Sequence, residues 1–327
     1  MTPDEKLPPP EDLLCQDVLR PFFHGRRLLI ATQHGKEQVL LPILERGLGV
    51  RCDVTTGFDT DAFGTFSGER HRSGDALETA RLKAEAVKQH YPEATLILTS
   101  EGSFGPSPQM PWAAADTELL YLWDSQWDRQ NQGVWTAVFH TLETNYVSFV
   151  DYPSPECPLP EYPSWCSSWE SLLEMTTAWG FPSHGVILGI KHVSGEGFSK
   201  IYKGIQDPVQ LKQLFVQYSP DHQIRLSPDM RACFNPTRMR AIAACAEQLV
   251  TQLSILCPEC AWPGFQQIKL IDALPCEACG LPTRLPASAL WQCQHCQFQK
   301  KQPIQTKLIN EENQATANPR DCEFCNP

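Results

Sequence analysis

The chain has 327 residues, 42% of them hydrophobic, with 9 Trp, 15 Phe and 7 Tyr; that is apolar mass for two or three domains and excludes a chain disordered throughout. No run approaches the ~18 apolar residues of a membrane span, and the start Met1-Thr-Pro-Asp-Glu-Lys-Leu lacks the basic and apolar segments of a signal peptide, so the expectation is a cytoplasmic protein with no membrane contact. With 27 Lys+Arg against 38 Asp+Glu the net charge is −11, which disfavours duplex nucleic acid and leaves small, locally chelated anions as the charged ligands.

Residues 1–25, rich in Pro, Asp and Glu, predict a disordered or surface arm. From there to about residue 255 strand-like runs alternate with amphipathic helices, the pattern of an α/β domain with a mixed sheet and flanking helices. Arg27-Leu-Leu-Ile-Ala-Thr32 predicts a strand, Gln33-His34-Gly35-Lys36 a polar turn, and Glu37 to Arg46 a helix. Backbone N–H groups at such a helix start favour an anion, and Lys36 adds a mobile positive charge, so this element can hold a phosphate.

Asp75-Ala-Leu-Glu78 has capping-box spacing and opens a helix running to Lys88, with Leu77, Ala80, Ala84 and Val87 as its buried side. Ala94-Thr-Leu-Ile-Leu98 predicts a strand ending in Ser100-Glu101-Gly102-Ser103, where a carboxylate beside small residues suits a metal-assisted site. Asp116 to Asp124 suggests an acidic, solvated helix, Asp59-Thr-Asp61 a turn, and the five prolines between 152 and 165 a connection. His24, His71, His90, His140, His192 and His222 are dispersed, as are Cys15, Cys52, Cys157, Cys166, Cys233 and Cys245, and none has ligand spacing. Near the end of the domain, Asn235 is a good N-cap, Pro236 suits the first helical position, and Met239, Ile242, Ala243, Ala246, Leu249, Val250 and Leu253 form one apolar stripe. Arg238 and Arg240 fall in the first turns, where the helix dipole disfavours cations; an anionic ligand or a salt bridge to a nearby acid such as Asp229 would explain them equally well.

Residues 256–327 hold eight of the 14 cysteines as four Cys-x-x-Cys pairs: Cys257/Cys260, Cys276/Cys279, Cys293/Cys296 and Cys322/Cys325. Two such knuckles complete a closed tetrahedral site, so eight thiolates predict two structural Zn²⁺ ions in a double zinc-ribbon module. A nested pairing joins Cys276/Cys279 to Cys293/Cys296 as one hairpin and returns Cys322/Cys325 to Cys257/Cys260; a sequential pairing is the alternative.

The motif order Thr32-Gln-His-Gly-Lys36, Glu78-Thr-Ala-Arg-Leu-Lys-Ala84 and a strand ending at Glu101 resembles the inosine-triphosphatase-like pyrophosphatases and their Maf relatives. Trp135 to Val150 looks like their central hairpin, Trp179-Gly-Phe-Pro-Ser-His184 stands in the place of their Gly-Phe-Gly-Tyr-Asp-Pro segment, and Arg231-Ala-Cys-Phe-Asn-Pro-Thr-Arg238 enters a helix where they have Ser-His-Arg. The resemblance implies their fold over roughly residues 26 to 253 and a Mg²⁺-dependent enzyme that releases pyrophosphate from non-standard purine nucleoside triphosphates. By it Thr32 and Lys36 hold phosphate, Glu78 and Glu101 hold Mg²⁺ or orient water, Lys83 neutralises charge, and Gln33, His34, Ser100, His184, Arg231 and Arg238 face the nucleotide. Gln33 and Thr79 replace that family's Asn residues and His184 its Asp, which changes the donors offered to a base.

Over its whole length the chain more closely resembles a bacterial family catalogued as a domain of unknown function (number 6671), through Ala31-Thr-Gln-His-Gly-Lys-Glu37, Asp229-Met-Arg-Ala, Asn235-Pro-Thr-Arg-Met239 and the terminal Cys-x-x-Cys-Asn-Pro. That likeness implies an architecture and no activity. Two functional classes follow: a nucleotide pyrophosphohydrolase, or a non-catalytic nucleotide sensor or adaptor whose zinc ribbons dock a protein partner. Lys36, Glu78, Glu101 and Arg238 meeting in one cleft would favour the enzyme.

Overall fold

The computed structural model describes residues 17–58, 75–107, 110–127, 133–144, 150–152, 168–191, 197–219, 222–304 and 315–326. Residues 1–16 of the expected arm, Asp59, Asp61, His71, His192, Cys15, Cys157, Cys166, residues 145–149 and the proline stretch 153–165 lie outside them. The end of the expected arm is structured: a turn at Asp17–Leu19 leads into α1 (Arg20–Phe23), and Leu19 and Phe23 are fully buried. Their spacing of four puts both on one helical face, and the core takes them.

Strand β1 (Arg27–Ala31), helix α2 (Glu37–Leu48), strand β2 (Arg51–Val54), helix α3 (Ala76–His90) and strands β3 (Leu96–Pro106), β4 (Ala114–Asp124) and β5 (Val134–Thr141) build a mixed sheet ordered β2-β1-β3-β4-β5. Strand β1 is parallel to β2 and β3, and the β3–β4 and β4–β5 pairs are antiparallel. Period-two alternation divides the sheet into two apolar faces. Leu28, Ile30, Leu96, Leu98, Leu120 and Leu122 pack on α2 and on helix α6 (Pro236–Ser254), whereas Leu29, Ala31, Ile97, Leu119 and Tyr121 pack on Ala80, Ala84 and Val87 of α3. The chain leaves β1 through α2 toward β2 and leaves β3 toward β4, so these neighbouring parallel strands send it in opposite directions. In open α/β sheets a crevice forms at such a point.

A second, antiparallel sheet is ordered β6-β9-β7-β8, from β6 (Val150–Tyr152), β7 (Val186–Lys191), β8 (Phe198–Ile205) and β9 (Gln223–Pro228). Helices α4 (Trp169–Ala178) and α5 (Pro208–Tyr218) give it a core of its own around Leu188, Leu211, Phe215 and Leu226. Among the described residues of the hairpin expected over 135–150, β5 and β6 do not pair with each other: β5 lies at the edge of the first sheet and β6 joins the second. The third sheet, β10-β11-β12, is the ribbon of the cysteine module, from β10 (Gln266–Pro275), β11 (Pro282–Gln292) and β12 (Gln299–Pro303).

Asp116 to Asp124 is strand β4, not an acidic helix. Leu and Glu favour helix locally, but β4 pairs along its length with β3 on one side and over most of it with β5 on the other, and those ladders override propensity. Asp116, Glu118 and Asp124 are each 1% exposed, the reverse of a solvated face. Leu77, expected on the buried side of α3, is 46% exposed, and Thr79 and Lys83 take the buried places instead. Among the described residues no helix is long and apolar enough to cross a membrane.

Candidate functional site

The eight cysteines form two four-thiol groups, Cys257/Cys260/Cys293/Cys296 and Cys276/Cys279/Cys322/Cys325, each with all sulfurs within 4.8 Å of one another. Cross-knuckle Sγ distances are 3.7 Å for Cys257–Cys296, Cys260–Cys293 and Cys279–Cys322, and 3.9 Å for Cys276–Cys325. A tetrahedron with metal–sulfur bonds of ~2.3 Å has edges of about 3.8 Å, so each group could hold one metal ion, in agreement with zinc. In the second group the N–H groups of Cys325 and Phe324 pull the Cys322 thiol down to about 7, while hydrogen bonding from Cys279 pushes Cys325 up to about 12. Four thiols this close cannot all ionise unless a cation neutralises them.

The pairing is interleaved, first knuckle with third and second with fourth, so neither the nested nor the sequential arrangement holds. The reason is ribbon length. Strand β10, 10 residues long, spans roughly 30 Å, and its antiparallel partner β11 returns the same distance. The Cys276/Cys279 knuckle at the tip of this hairpin is thereby held far from Cys293/Cys296 at its base. At the base, Trp262 stacks on the His295 ring at 4.5 Å and on Trp135 at 6.1 Å, and Trp135 Nε1 donates to Pro263 O at 3.1 Å. Cys257, Trp262, Phe265 and Cys293 belong to the same apolar cluster as Leu28 and Leu120, so the first metal group is built into the main core.

Beyond the end of β1, where β3 runs on past it, the structure buries Thr32, Lys36, Ser100 and Arg238 of the predicted nucleotide-site residues. Lys36, at the start of α2, is 7% exposed and its Nζ donates to Ser100 Oγ at 2.9 Å. Burial, then the nearby Arg238, push its pKa down to about 8 against the attraction of Glu118 and Glu101. Thr32, 6% exposed, has a buried Oγ1 without a hydrogen-bond partner. Lys83 Nζ donates to Glu101 Oε1 at 2.5 Å, tying α3 to β3 on the other face of the sheet. Glu101 and Ser100 are neighbours on β3 and alternate, so one serves each face.

Arg238 is 1% exposed. Its Nε donates to Glu118 Oε1 at 2.6 Å, its Nη1 to Met230 O at 2.6 Å, and its guanidinium lies over the Phe104 ring at 5.2 Å. A salt bridge does account for it, but to Glu118, since Asp229 is bonded to Arg231 instead. Gly102 makes room: a Cβ there would stand 2.4 Å from Arg238 Nη2 and 2.7 Å from Glu118 Oε1. The small residue after Glu101 thus accommodates the protein's own ion pair. Two residues along β4 from Glu118, Asp116 is pushed up to about 7 by burial and by Glu118, against the pull of Arg238 and Lys36.

Glu78 does not join this cluster. Both its oxygens accept from Arg81, at 2.9 and 2.7 Å, and this holds it below the usual carboxylate range. It lines a separate groove of about 530 Å³ with Arg81, Tyr121, Gln266 and Gln292. At position 78 the residue lies outside the sheet-facing stripe of Thr79, Ala80, Lys83 and Ala84, which is why the helix turns it away. Gln33 is exposed and donates to Phe58 O at 2.9 Å, while His34 is half-buried in the same turn. Gly35 there takes φ +72°, and a Cβ on it would touch Cys233, which brings the turn against the Ala232–Phe234 segment. His184 Nε2 is 2.9 Å from Thr237 Oγ1 at the start of α6, and burial lowers its pKa. Arg231 is held by Asp229 and lies over the Phe234 ring at 4.6 Å. Asp116 and Glu118 join the cluster without a place in the predicted site; they share one strand face with Leu120 and Leu122, whose burial was the available signal.

The chain is thus a mixed α/β protein with a buried charged cluster and two four-cysteine groups. It belongs to the family described as Domain of unknown function (DUF6671), whose model matches residues 87–327. The match contains Glu101, Asp116, Glu118, Arg238 and all eight knuckle cysteines, and Thr32, Lys36, Glu78 and Lys83 precede it. No curated protein matches the chain.

Proposed function

We propose that this protein is a metal-dependent hydrolase of nucleoside triphosphates, releasing pyrophosphate from non-standard purine or similar nucleotides, with two structural Zn²⁺ ions in its cysteine groups. The observation that carries this reading is that Lys36, bonded to Ser100 on one face of the first sheet, feels the charges of Arg238 and, through the sheet, of the Lys83–Glu101 pair, all drawn from distant parts of the chain. Lys36 and Thr32 would hold phosphate, and Lys83 and Arg238 would offset developing negative charge. Lys36 and Asp116, at about 8 and about 7, are both poised to exchange protons near neutral pH. Glu101 would hold Mg²⁺ through its carboxylate together with the ligand's own oxygens, and Glu78 would take no part. When bound, such an ion polarises phosphoryl oxygens and neutralises their charge. The inosine-triphosphatase-like resemblance of the turn, helix and strand motifs supports the same substrate class.

The adaptor reading is favoured by one observation: Lys83 and Arg238 are each already bonded to an acid of the protein, so a bound nucleotide meets a cluster close to neutral. In that reading Ile268, Leu270 and Phe324, at 45%, 49% and 73% exposed, are the apolar surface of the metal module that a protein partner would cover. The test offers inosine, xanthosine and standard triphosphates with Mg²⁺ to the purified protein and follows pyrophosphate. Release that is lost in Glu101→Gln supports the hydrolase. Tight nucleotide binding in calorimetry with no release supports the adaptor, and absence of both defeats the two readings together.

A further inference from the structure

We propose that Asp116 and Glu118 hold one proton between them, and that a phosphate-bearing ligand seated at Lys36 and Ser100 draws that proton in on binding. The coupling rests on the phosphate site proposed above. Its starting point is a pair of acceptors with nothing to accept: Asp116 Oδ1 and Glu118 Oε2 are buried without a hydrogen-bond partner, on side chains 1% exposed. An ionised carboxylate has no donor, so two buried acceptors two residues apart on one strand face leave each other unsatisfied; one proton on Asp116 supplies a donor. Both residues project from the same face of β4, a central strand between β3 and β5.

The surrounding charges decide how tightly the proton is held. Strand β3 sets Gly102 and Phe104 opposite the pair, and β5 sets Phe139 and Thr141 there, so neither strand adds charge. Helix α6 contributes Arg238, bonded to Glu118 Oε1, and the thiol of Cys245, which donates to Glu118 O at 3.4 Å. The start of α2 contributes Lys36, and Lys83 and Glu101 pair with each other on the far face. Two cations thus stand against two acids. A phosphate dianion beside Lys36 adds negative charge in a poorly solvated place, and protonating Asp116 relieves it. Burial and Glu118 already hold Asp116 at about 7, so near neutral pH it is poised to respond, whereas Lys36, at about 8, is by then mostly charged.

The test is calorimetric titration of the full-length, metal-loaded chain with inorganic pyrophosphate at pH 7, without Mg²⁺, in two buffers of different ionisation heat. Uptake of roughly half a proton per ligand is expected in the wild type, falling below about a third of that value in Asp116→Asn. Uptake that persists in Asp116→Asn, or binding without uptake, overturns the coupling and leaves the hydrolase reading standing. No pyrophosphate binding overturns the coupling, and the hydrolase falls with it only if triphosphates are also left intact. Infrared spectra of the wild type keep the idea falsifiable should the variant not fold: a protonated-carboxyl band present at pH 6 and lost by pH 8.5 supports the shared proton, and its absence refutes it.

Discussion

Arg238 Nε lies 2.6 Å from Glu118 Oε1, a bond that joins the first turn of α6 to strand β4 across 120 residues of chain. Two groups that water would solvate well are held out of it together, and neither tolerates the loss of the other. Glu118→Leu is expected to destabilise the fold by about 3–5 kcal/mol because it strands a buried guanidinium, while Arg238→Met combined with Glu118→Leu recovers most of that loss. Urea denaturation of the single and double variants measures the difference.

Gly102 is where the same pair meets β3. Gly102→Ala would bring a methyl to 2.4 Å from Arg238 Nη2, so the pair must shift or the strand must move. A loss of about 1–3 kcal/mol in denaturant unfolding is expected, with Gly105→Ala, whose Cβ meets nothing within 4 Å, as the control.

Asp116 titrates at about 7 in the folded protein, well above an ordinary carboxylate. The folded state therefore keeps a proton that the unfolded chain releases, and the stabilisation this provides is lost as pH rises from about 4 through 7. Asp116→Asn cannot ionise. Its melting temperature relative to wild type should climb between pH 5.5 and 7.5 and level off above, which thermal unfolding in matched buffers would show; a constant offset would contradict the assignment.

Lys36 gives the opposite slope. Burial lowers its pKa to about 8, so the unfolded chain binds the extra proton and wild-type stability rises between about pH 8 and 10.5. Lys36→Met should be more stable than wild type at pH 7, with the advantage shrinking toward pH 10.5, and should bind pyrophosphate at least tenfold more weakly. Paired thermal scans and calorimetry check both halves.

Metal removal should affect the two cysteine groups unequally. Cys257 and Cys293 pack in the main core beside Trp262, whereas the second group sits at the ribbon tip. Cys257→Ser is expected to shift tryptophan emission and lower the melting temperature of the whole α/β core, while Cys276→Ser should expose only the ribbon end, as hydrogen exchange would resolve.

Much of the architecture is carried by short-range pattern: strand β1, helices α2 and α3, the Asn235-Pro236 start of α6, and four knuckles with the spacing for two tetrahedral ions. These are local because a strand's alternation, a helix's apolar stripe and a two-residue gap between thiols are each satisfied within a few turns of chain. Partner choice is different in kind. Which knuckle meets which depended on the length of the β10–β11 hairpin, and whether Glu78 or Glu118 stands beside Arg238 depended on which face of α3 and of β4 the sheet buries. Such pairings are set by the burial of both faces at once, and a charged residue on a central strand reads locally like one on a solvated helix until the strands on either side remove it from water.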